Sequence, residues 1–403
     1  MTPGWRVTHV ITRLVLGGAQ ENTVASVLGL RQVPGLDVDL VAGPTVGAEG
    51  SIESSVASVP GCLTLVPSLV RPVHPWLDLL AHARLVRIFR QRRPHIVHTH
   101  SGKAGILGRL AARRARVPIV IHTIHGPSFG PFQGRLANLA FLSAERLVGR
   151  HTHHFVSVAH AMTRQYLAAG IGSPGQYSCI RSGFDLAPFL QARPKPELAR
   201  KLGLRPGDFV IGKVARLFRL KGHDELFAAL PALLQRLPNA RILLVGDGPD
   251  RARYEAMASR PPLAGRVIFA GLVPASDVAD YLALMGVLVH LSRREGLPRV
   301  LPQALAAGVP IVAADCDGAP EVCLDGETGF LVPADAPAVL VERLATLAFD
   351  PALGRALAAR GRLKVQEEFG TQRMVADLAT LYGELIRRFG LGRGDHVGTD
   401  VAT

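Results

Sequence analysis

Aromatic residues make up only 5% of the 403 residues. So few rings leave little for base stacking, and no nucleic-acid motif accompanies them, so no nucleic-acid partner is expected. Cysteine is scarce as well. Cys62, Cys179, Cys316 and Cys323 form no CxxC pair and no metal-ligand spacing, which argues against a disulfide framework and reads as reduced thiols of a cytoplasmic protein. No apolar run reaches the roughly eighteen residues of a membrane span. The apolar start at 7–10 is interrupted by Thr12 and Arg13, too early for a secretory h-region. Acidic residues are in deficit, 32 against 46 Lys and Arg, for a net charge of +14.

Much of the basic excess lies in the first half, at Arg84, Arg87, Arg90, Arg92 and Arg93 and again at Arg109, Arg113, Arg114 and Arg116. Such a surface attracts polyanions, an anionic membrane surface among them, and the alternative is a solvated surface that serves solubility. Residues 76–93 have apolar side chains at helical spacing with arginines between, and 129–150 is an apolar-basic segment. Both could rest on anionic lipid at the inner face of the cell membrane, with ordinary core packing of their apolar residues as the competing expectation.

Apolar runs at 6–11, 38–42, 96–97, 119–123 and 155–158 alternate with helical patterns, and a second series follows at 209–215, 241–245, 267–270, 287–291 and 311–314. Strands alternating with helices predict α/β architecture with parallel, doubly wound sheets. Two such domains are expected, 1–185 and 198–370, facing across a cleft. The polar, Pro-rich residues 186–197 form the linker, 371–389 is a helix crossing back to the first domain, and 390–403 is a disordered tail.

Ligands of open parallel sheets bind past the carboxyl ends of the strands, and there the informative residues collect. Arg216 and Lys221 follow the first strand of the second domain, and both can reach one diphosphate. Two pre-placed cations stabilise the charge that builds on a leaving phosphate; a solvated basic loop is the bland alternative. Glu295-Gly296-Leu297-Pro298 follows another strand and opens a helix. There Gly296 allows close backbone approach, Pro298 suits a first turn, and backbone N–H groups can hold phosphate or a hydroxyl. Glu295 can accept from sugar hydroxyls. Glu321, in Gly318-Ala319-Pro320-Glu321, either orients a loop or meets substrate. Gly17-Gly18 can pack near a phosphate or simply make a tight turn. His125 beside Gly126 ends a strand and could contact sugar or acceptor. His98, His100 and His125 could ligate a metal, but hydrogen-bonded sheet-end histidines are the simpler expectation, so no metal is assigned. His151, His153 and His154 are expected at a helix end.

With these residues in view, the chain resembles the retaining GT-B glycosyltransferases of family 4. The resemblance runs through Gly17-Gly18-Ala19-Gln20, residues 98–109, 122–126 and 213–223, Val245-Gly246-Asp247-Gly248-Pro249, and 295–310. It implies a UDP-sugar or GDP-sugar donor held mainly by the second domain, with Arg216 and Lys221 on its diphosphate. Glu295 and His125 would meet the sugar, and Gly17, Gly18, Gly296, Leu297, Pro298 and Gln303 would line the donor site. The acceptor, a saccharide or a polyprenyl-diphosphate-linked one, would lie mainly on the first domain, with Lys103 and Glu321 as acceptor or loop residues. No cofactor is required. The family places a second glutamate eight positions after Glu295; here Gln303 stands there, a neutral and weaker partner for ribose hydroxyls. Pro302 beside it is expected to kink the helix. A nucleotide-sugar epimerase and a non-catalytic glycan-binding relative are the alternatives.

Overall fold

A computed structural model of the protein describes residues 4–45, 50–130 and 132–392. The chain divides into two compact units, with the divisions after Phe184 and after Gly370, so that the segment beginning at Thr371 belongs with the first unit.

The first unit is built on seven parallel strands: β1 (Trp5–Ile11), β2 (Leu36–Ala42), β3 (Leu63–Leu65), β4 (Ile96–His100), β5 (Ile119–Ile124), β6 (His154–Ser157) and β7 (Tyr177–Cys179). Their order is β3-β2-β1-β4-β5-β6-β7. Strands covered on both faces read as continuous apolar runs, and Val7, Ile11, Ile96, Ile119 and Ile121 are fully buried. Burial of each contributes about 1.5–3 kcal/mol before chain entropy is counted. The same core takes Met374, Val375, Leu378, Leu381, Tyr382, Leu385 and Ile386 from the helix Thr371–Arg388.

The second unit has six parallel strands: β8 (Phe209–Val214), β9 (Ala240–Val245), β10 (Val267–Gly271), β11 (Val287–His290), β12 (Ile311–Ala314) and β13 (Gly329–Val332), ordered β10-β9-β8-β11-β12-β13. The expected α/β class with two doubly wound sheets is therefore present. In each sheet the strand order reverses beside the first strand: β4 adjoins β1, and β11 adjoins β8. A crevice forms at such a switch point, because the connecting helices leave to opposite faces.

Several expectations need correction. β3 and β7 carried no clear sequence signal because each is only three residues long, and β13 follows directly on the turn-rich Gly326-Glu327-Thr328-Gly329. The expected linker, 186–197, is partly helical. It contains a helix, Ala187–Leu190, that buries Phe189, and Leu190 accepts a hydrogen bond from Arg362 at 2.8 Å. Arg109 is not part of a basic surface. It lies fully buried, with Nη2 2.7 Å from Glu145 Oε2 and Nε donating to the Gly105 carbonyl. His153 and His154 serve the sheet: His153 accepts from the Val120 amide at 2.9 Å and His154 pairs with Ser178. Residues 393–403 of the expected disordered tail lie outside the described residues.

Candidate functional site

In the second unit, Arg216 and Lys221 sit on the connection after β8 and Glu295 on the connection after β11, the two strands flanking the switch point. The intervening loop is fixed in three ways. Leu217 donates to the Asp247 carbonyl at 3.0 Å and its own carbonyl accepts from Asp250 at 3.1 Å, so the Asp247-Gly248-Pro249 turn clamps the segment bearing Arg216. The Leu220 carbonyl accepts from the Arg293 amide at 2.9 Å and from Ser292 Oγ at 3.1 Å, joining the two connections. Gly222 has φ 71°, and a Cβ there would fall 1.8 Å from the Leu291 carbonyl oxygen; only glycine permits this approach.

The result is an ion pair between Lys221 Nζ and Glu295 Oε1. Burial pushes the Glu295 carboxyl up, but the Lys221 ammonium, His290 and a hydrogen bond from Ser292 together outweigh it, and the carboxyl is held below its usual value. His290 Nε2 stands 3.6 Å from the same oxygen, and burial lowers that imidazole to about 3, so it is neutral. Asp317, on the connection after β12, receives the Glu295 amide N–H at 2.8 Å. Gly296, Leu297 and Pro298 are buried beside Glu295, Gln303 and Glu321 are half-buried, and Arg216 is exposed.

The helix beyond Glu295 begins later than the sequence suggested, at Val300. Pro298 therefore precedes it rather than occupying its first turn, and its carbonyl accepts from Leu301 at 3.1 Å. Pro302 is the third helical residue. The first-turn N–H groups have no intrahelical partner, so its missing donor costs little and the expected kink has no cause there.

Sequence reasoning passed over Lys213 and Asp317. Lys213 lies within β8, fully buried, and its Nζ has no hydrogen-bond partner. Burial, reinforced by the Lys221 charge, lowers its ammonium to about 7. A lysine inside an otherwise apolar strand was the available signal.

In the first unit, Gly17 precedes the helix Gly18–Leu30 and Gly18 is exposed. Lys103 is tied to residues ahead of and within the helix Pro75–Arg92, through the Pro72 carbonyl and the Asp78 carboxylate. His125 follows β5 and joins a file of buried rings. Its Nε2 lies 3.1 Å from His100 Nδ1, and His100 Nε2 lies 2.9 Å from His9 Nδ1. His9 Nε2 is 3.2 Å from the Tyr382 hydroxyl, which is 2.6 Å from His98 Nδ1, and His98 Nε2 is 2.6 Å from Thr123 Oγ1. His9 and Tyr382 were not singled out from the sequence. The three histidines whose nitrogens converge within 4.8 Å are His9, His98 and His100, not the set containing His125. Among the described residues, no helix is long and apolar enough to cross a membrane.

The family described as "Glycosyl transferases group 1" matches residues 194–364, and that described as "Glycosyl transferase 4-like domain" matches 17–181. The chain is similar to a GDP-mannose-dependent alpha-(1-6)-phosphatidylinositol monomannoside mannosyltransferase of Mycolicibacterium smegmatis, 32% identical over 64% of this chain and 68% of the relative. It is also similar to the UDP-Gal:alpha-D-GlcNAc-diphosphoundecaprenol alpha-1,3-galactosyltransferase of Escherichia coli, 25% identical over 94% of this chain and 97% of the relative. In fold it resembles HepE of Anabaena in complex with UDP-glucose, with a TM-score of 0.78 and 22% identity over 94% of this chain and 99% of that one.

Proposed function

The chain belongs to the family 4-type glycosyltransferases of GT-B fold, which use nucleotide-sugar donors, and from that membership we propose that it transfers a hexosyl or N-acetylhexosaminyl unit with retention of anomeric configuration. The donor is a UDP-sugar or GDP-sugar. The acceptor is a hydroxyl of a lipid-linked or growing cell-surface saccharide; both curated relatives above carry a lipid-linked acceptor in their names.

The Lys221–Glu295 ion pair carries this reading. It joins a cation suited to the diphosphate with a carboxylate suited to the sugar, across the switch point of the sheet. Arg216, on the same connection as Lys221, supplies a second cation. Together they neutralise the departing nucleoside diphosphate, so no metal is required for that task. The acceptor oxygen bonds to the anomeric carbon on the face from which the diphosphate leaves, and its proton passes to a donor phosphate oxygen. His125 and Glu295 hold the sugar, and Gln303 meets the ribose.

The site of action is the cytoplasmic face of a membrane. Val73, Trp76, Leu79 and Leu80 are exposed at the start of the helix Pro75–Arg92, and Leu136, Leu139 and Leu147 are exposed on the helix Arg135–Gly149. Core packing claims Leu85, Val86, Ile88 and Phe89 but leaves that apolar surface uncovered. A groove of about 460 Å³ lined by His82, Arg87, Arg90 and Arg114 adds positive charge. Apolar and basic groups together favour an anionic lipid surface.

Turnover of a nucleotide-sugar panel with a lipid-linked acceptor tests the proposal. Arg216→Ala and Lys221→Ala should each lower kcat about 10²- to 10³-fold, and NMR of the product should show the donor's anomeric configuration. An inverted product, or an epimerised free sugar without acceptor, would refute it. Co-sedimentation with anionic but not neutral vesicles tests the membrane assignment.

A further inference from the structure

The pleat places His98 and His100 of β4 on one face of the first sheet, as it does Thr123 and the following His125, because side chains two apart share a face. His9 of β1 adjoins His98 in register. This is the face that the helix Thr371–Arg388 covers: Val7, Ile11, Ile96, Ile119 and Ile121 pack there with Met374 and Tyr382. At the carboxyl ends of the strands this apolar packing gives way to imidazoles. Buried polar groups on such a face must be hydrogen-bonded, and these bond chiefly to one another. Their rings also stack, His98 on His100 at 4.5 Å and His100 on His125 at 5.3 Å between centroids.

The file reads Thr123 Oγ1, His98, Tyr382 Oη, His9, His100, His125, with five contacts of 2.6–3.2 Å. Burial holds His9 down to about 3 and His98 and His100 well below the ordinary imidazole value, so each is neutral and bears one N–H. A neutral ring with both nitrogens in the file must donate at one and accept at the other. Suppose His100 Nδ1 donates to His125. Then His100 Nε2 accepts from His9 Nδ1, His9 Nε2 accepts from Tyr382, and Tyr382 accepts from His98 Nδ1. Every ring carries its proton on Nδ1. Reversing any one bond reverses all five, and every proton then sits on Nε2. A mixed state among His9, His100 and His125 leaves two donors or two acceptors face to face in a dry interior, and one that changes at Tyr382, whose oxygen can accept twice, leaves the hydroxyl hydrogen without an acceptor in the file.

We infer that His9, His98, His100 and Tyr382 are positioning residues that lock the tautomer of His125, and so fix whether its Nδ1 donates to or accepts from the sugar. Deep burial is consistent with this role, since none of the four needs to touch substrate. The inference rests on the reading of His125 as a sugar contact. The nitrogens of His9, His98 and His100 converge as metal ligands would, but in the file each already has a partner.

The test uses the full-length protein with selectively ¹⁵N-labelled histidine. Long-range ¹H–¹⁵N spectra should show His9, His98 and His100 in one common tautomer; a mixed set overturns the lock. Stoichiometric zinc uptake that shifts these resonances also overturns it. Tyr382→Phe removes one hydroxyl from an otherwise unchanged ring and should scramble the tautomers. Thr123→Val should act from the far end of the file, with Thr123→Ser restoring the wild-type pattern. Outer partners that orient a working imidazole at metal sites are worth about 10- to 100-fold, and a fall of that size in kcat, with donor KM little changed, is expected for Tyr382→Phe. Unchanged kcat in Tyr382→Phe, with its tautomers scrambled, overturns the positioning role. Unchanged kcat in His125→Ala, with the common tautomer intact, refutes the sugar contact instead.

Discussion

Asp317 holds Glu295 by its backbone: the Glu295 amide N–H donates to Asp317 Oδ2 at 2.8 Å. The two residues ride on connections after neighbouring strands β11 and β12, so a side chain from one connection fixes the other. Asp317 has φ 50°, a left-handed conformation that Asp, Asn and Gly accept more readily than other residues. Asp317→Gly keeps this backbone and deletes the acceptor. Hydrogen bonds to charged groups are worth about 1.5–3 kcal/mol, so the variant should lose roughly tenfold or more in kcat/KM. Asp317→Asn, which retains an oxygen, should stay close to wild type. Steady-state kinetics of the pair decides the point.

Glu295 should remain ionised below the usual carboxylate range, because Lys221, with His290 and the Ser292 hydrogen bond, overcomes the effect of burial. A carboxyl with a lowered folded-state pKa contributes stability that is complete above its unfolded value and is lost as pH falls through the folded one. In Lys221→Met the opposing cation and its hydrogen bond are gone, leaving only His290 and the Ser292 hydrogen bond against burial, so the carboxyl rises. Titration of Glu295 by ¹³C NMR should show its midpoint moving upward in the variant. A midpoint that stays put or falls would contradict the electrostatic account.

Lys213 works against stability at neutral pH. Its ammonium is lowered from 10.5 to about 7, so between those values the unfolded chain binds more protons than the folded one. Stability must therefore climb as pH rises through that window. At about 1.4 kcal/mol per pKa unit, the cost at pH 7 is on the order of 4 kcal/mol. Lys213→Met keeps the length of the side chain and removes the charge. Urea unfolding should show a more stable variant at neutral pH and a flatter dependence above it.

Arg109 and Glu145 should be nearly inseparable. Both are fully buried, and the pair links the helix Gly102–Arg114 to the helix Arg135–Gly149. Removing one partner strands the other charge, at a cost of about 3–5 kcal/mol. Glu145→Ala and Arg109→Met should each show that loss in chemical denaturation. The double variant Arg109→Met with Glu145→Leu should lose far less, giving a large coupling energy in a double-mutant cycle.

Strands with both faces covered were legible because burial writes itself as a mainly apolar run; β12 is wholly apolar, and β1, β5 and β8 are apolar apart from the polar residues Arg6, Thr8, His9, His122, Thr123 and Lys213. β3 and β7 end their sheet and have too few residues to establish a period. Arg216, Lys221 and Glu295 could be picked out because local strand-to-loop punctuation marks the carboxyl end of a strand. What joins them is not local: Asp317 meets Glu295 across 22 positions and Tyr382 meets His9 across 373. Arg109 misled because a helix with arginines at several positions does not announce which of them points inward. Pro302 misled for a different reason. Whether proline kinks a helix depends on where the helix starts, and that start moved to Val300.

The helix Thr371–Arg388 supplies one wall of a core otherwise assembled from the first 184 residues. During synthesis those residues leave the ribosome long before that wall exists, and the whole second unit is made in the meantime. The opening half must wait with its sheet face uncovered and its file of imidazoles lacking the tyrosine. A chain halted before Thr371 would thus be an aggregation hazard, and emergence of the helix Thr371–Arg388 is the step that completes the first half.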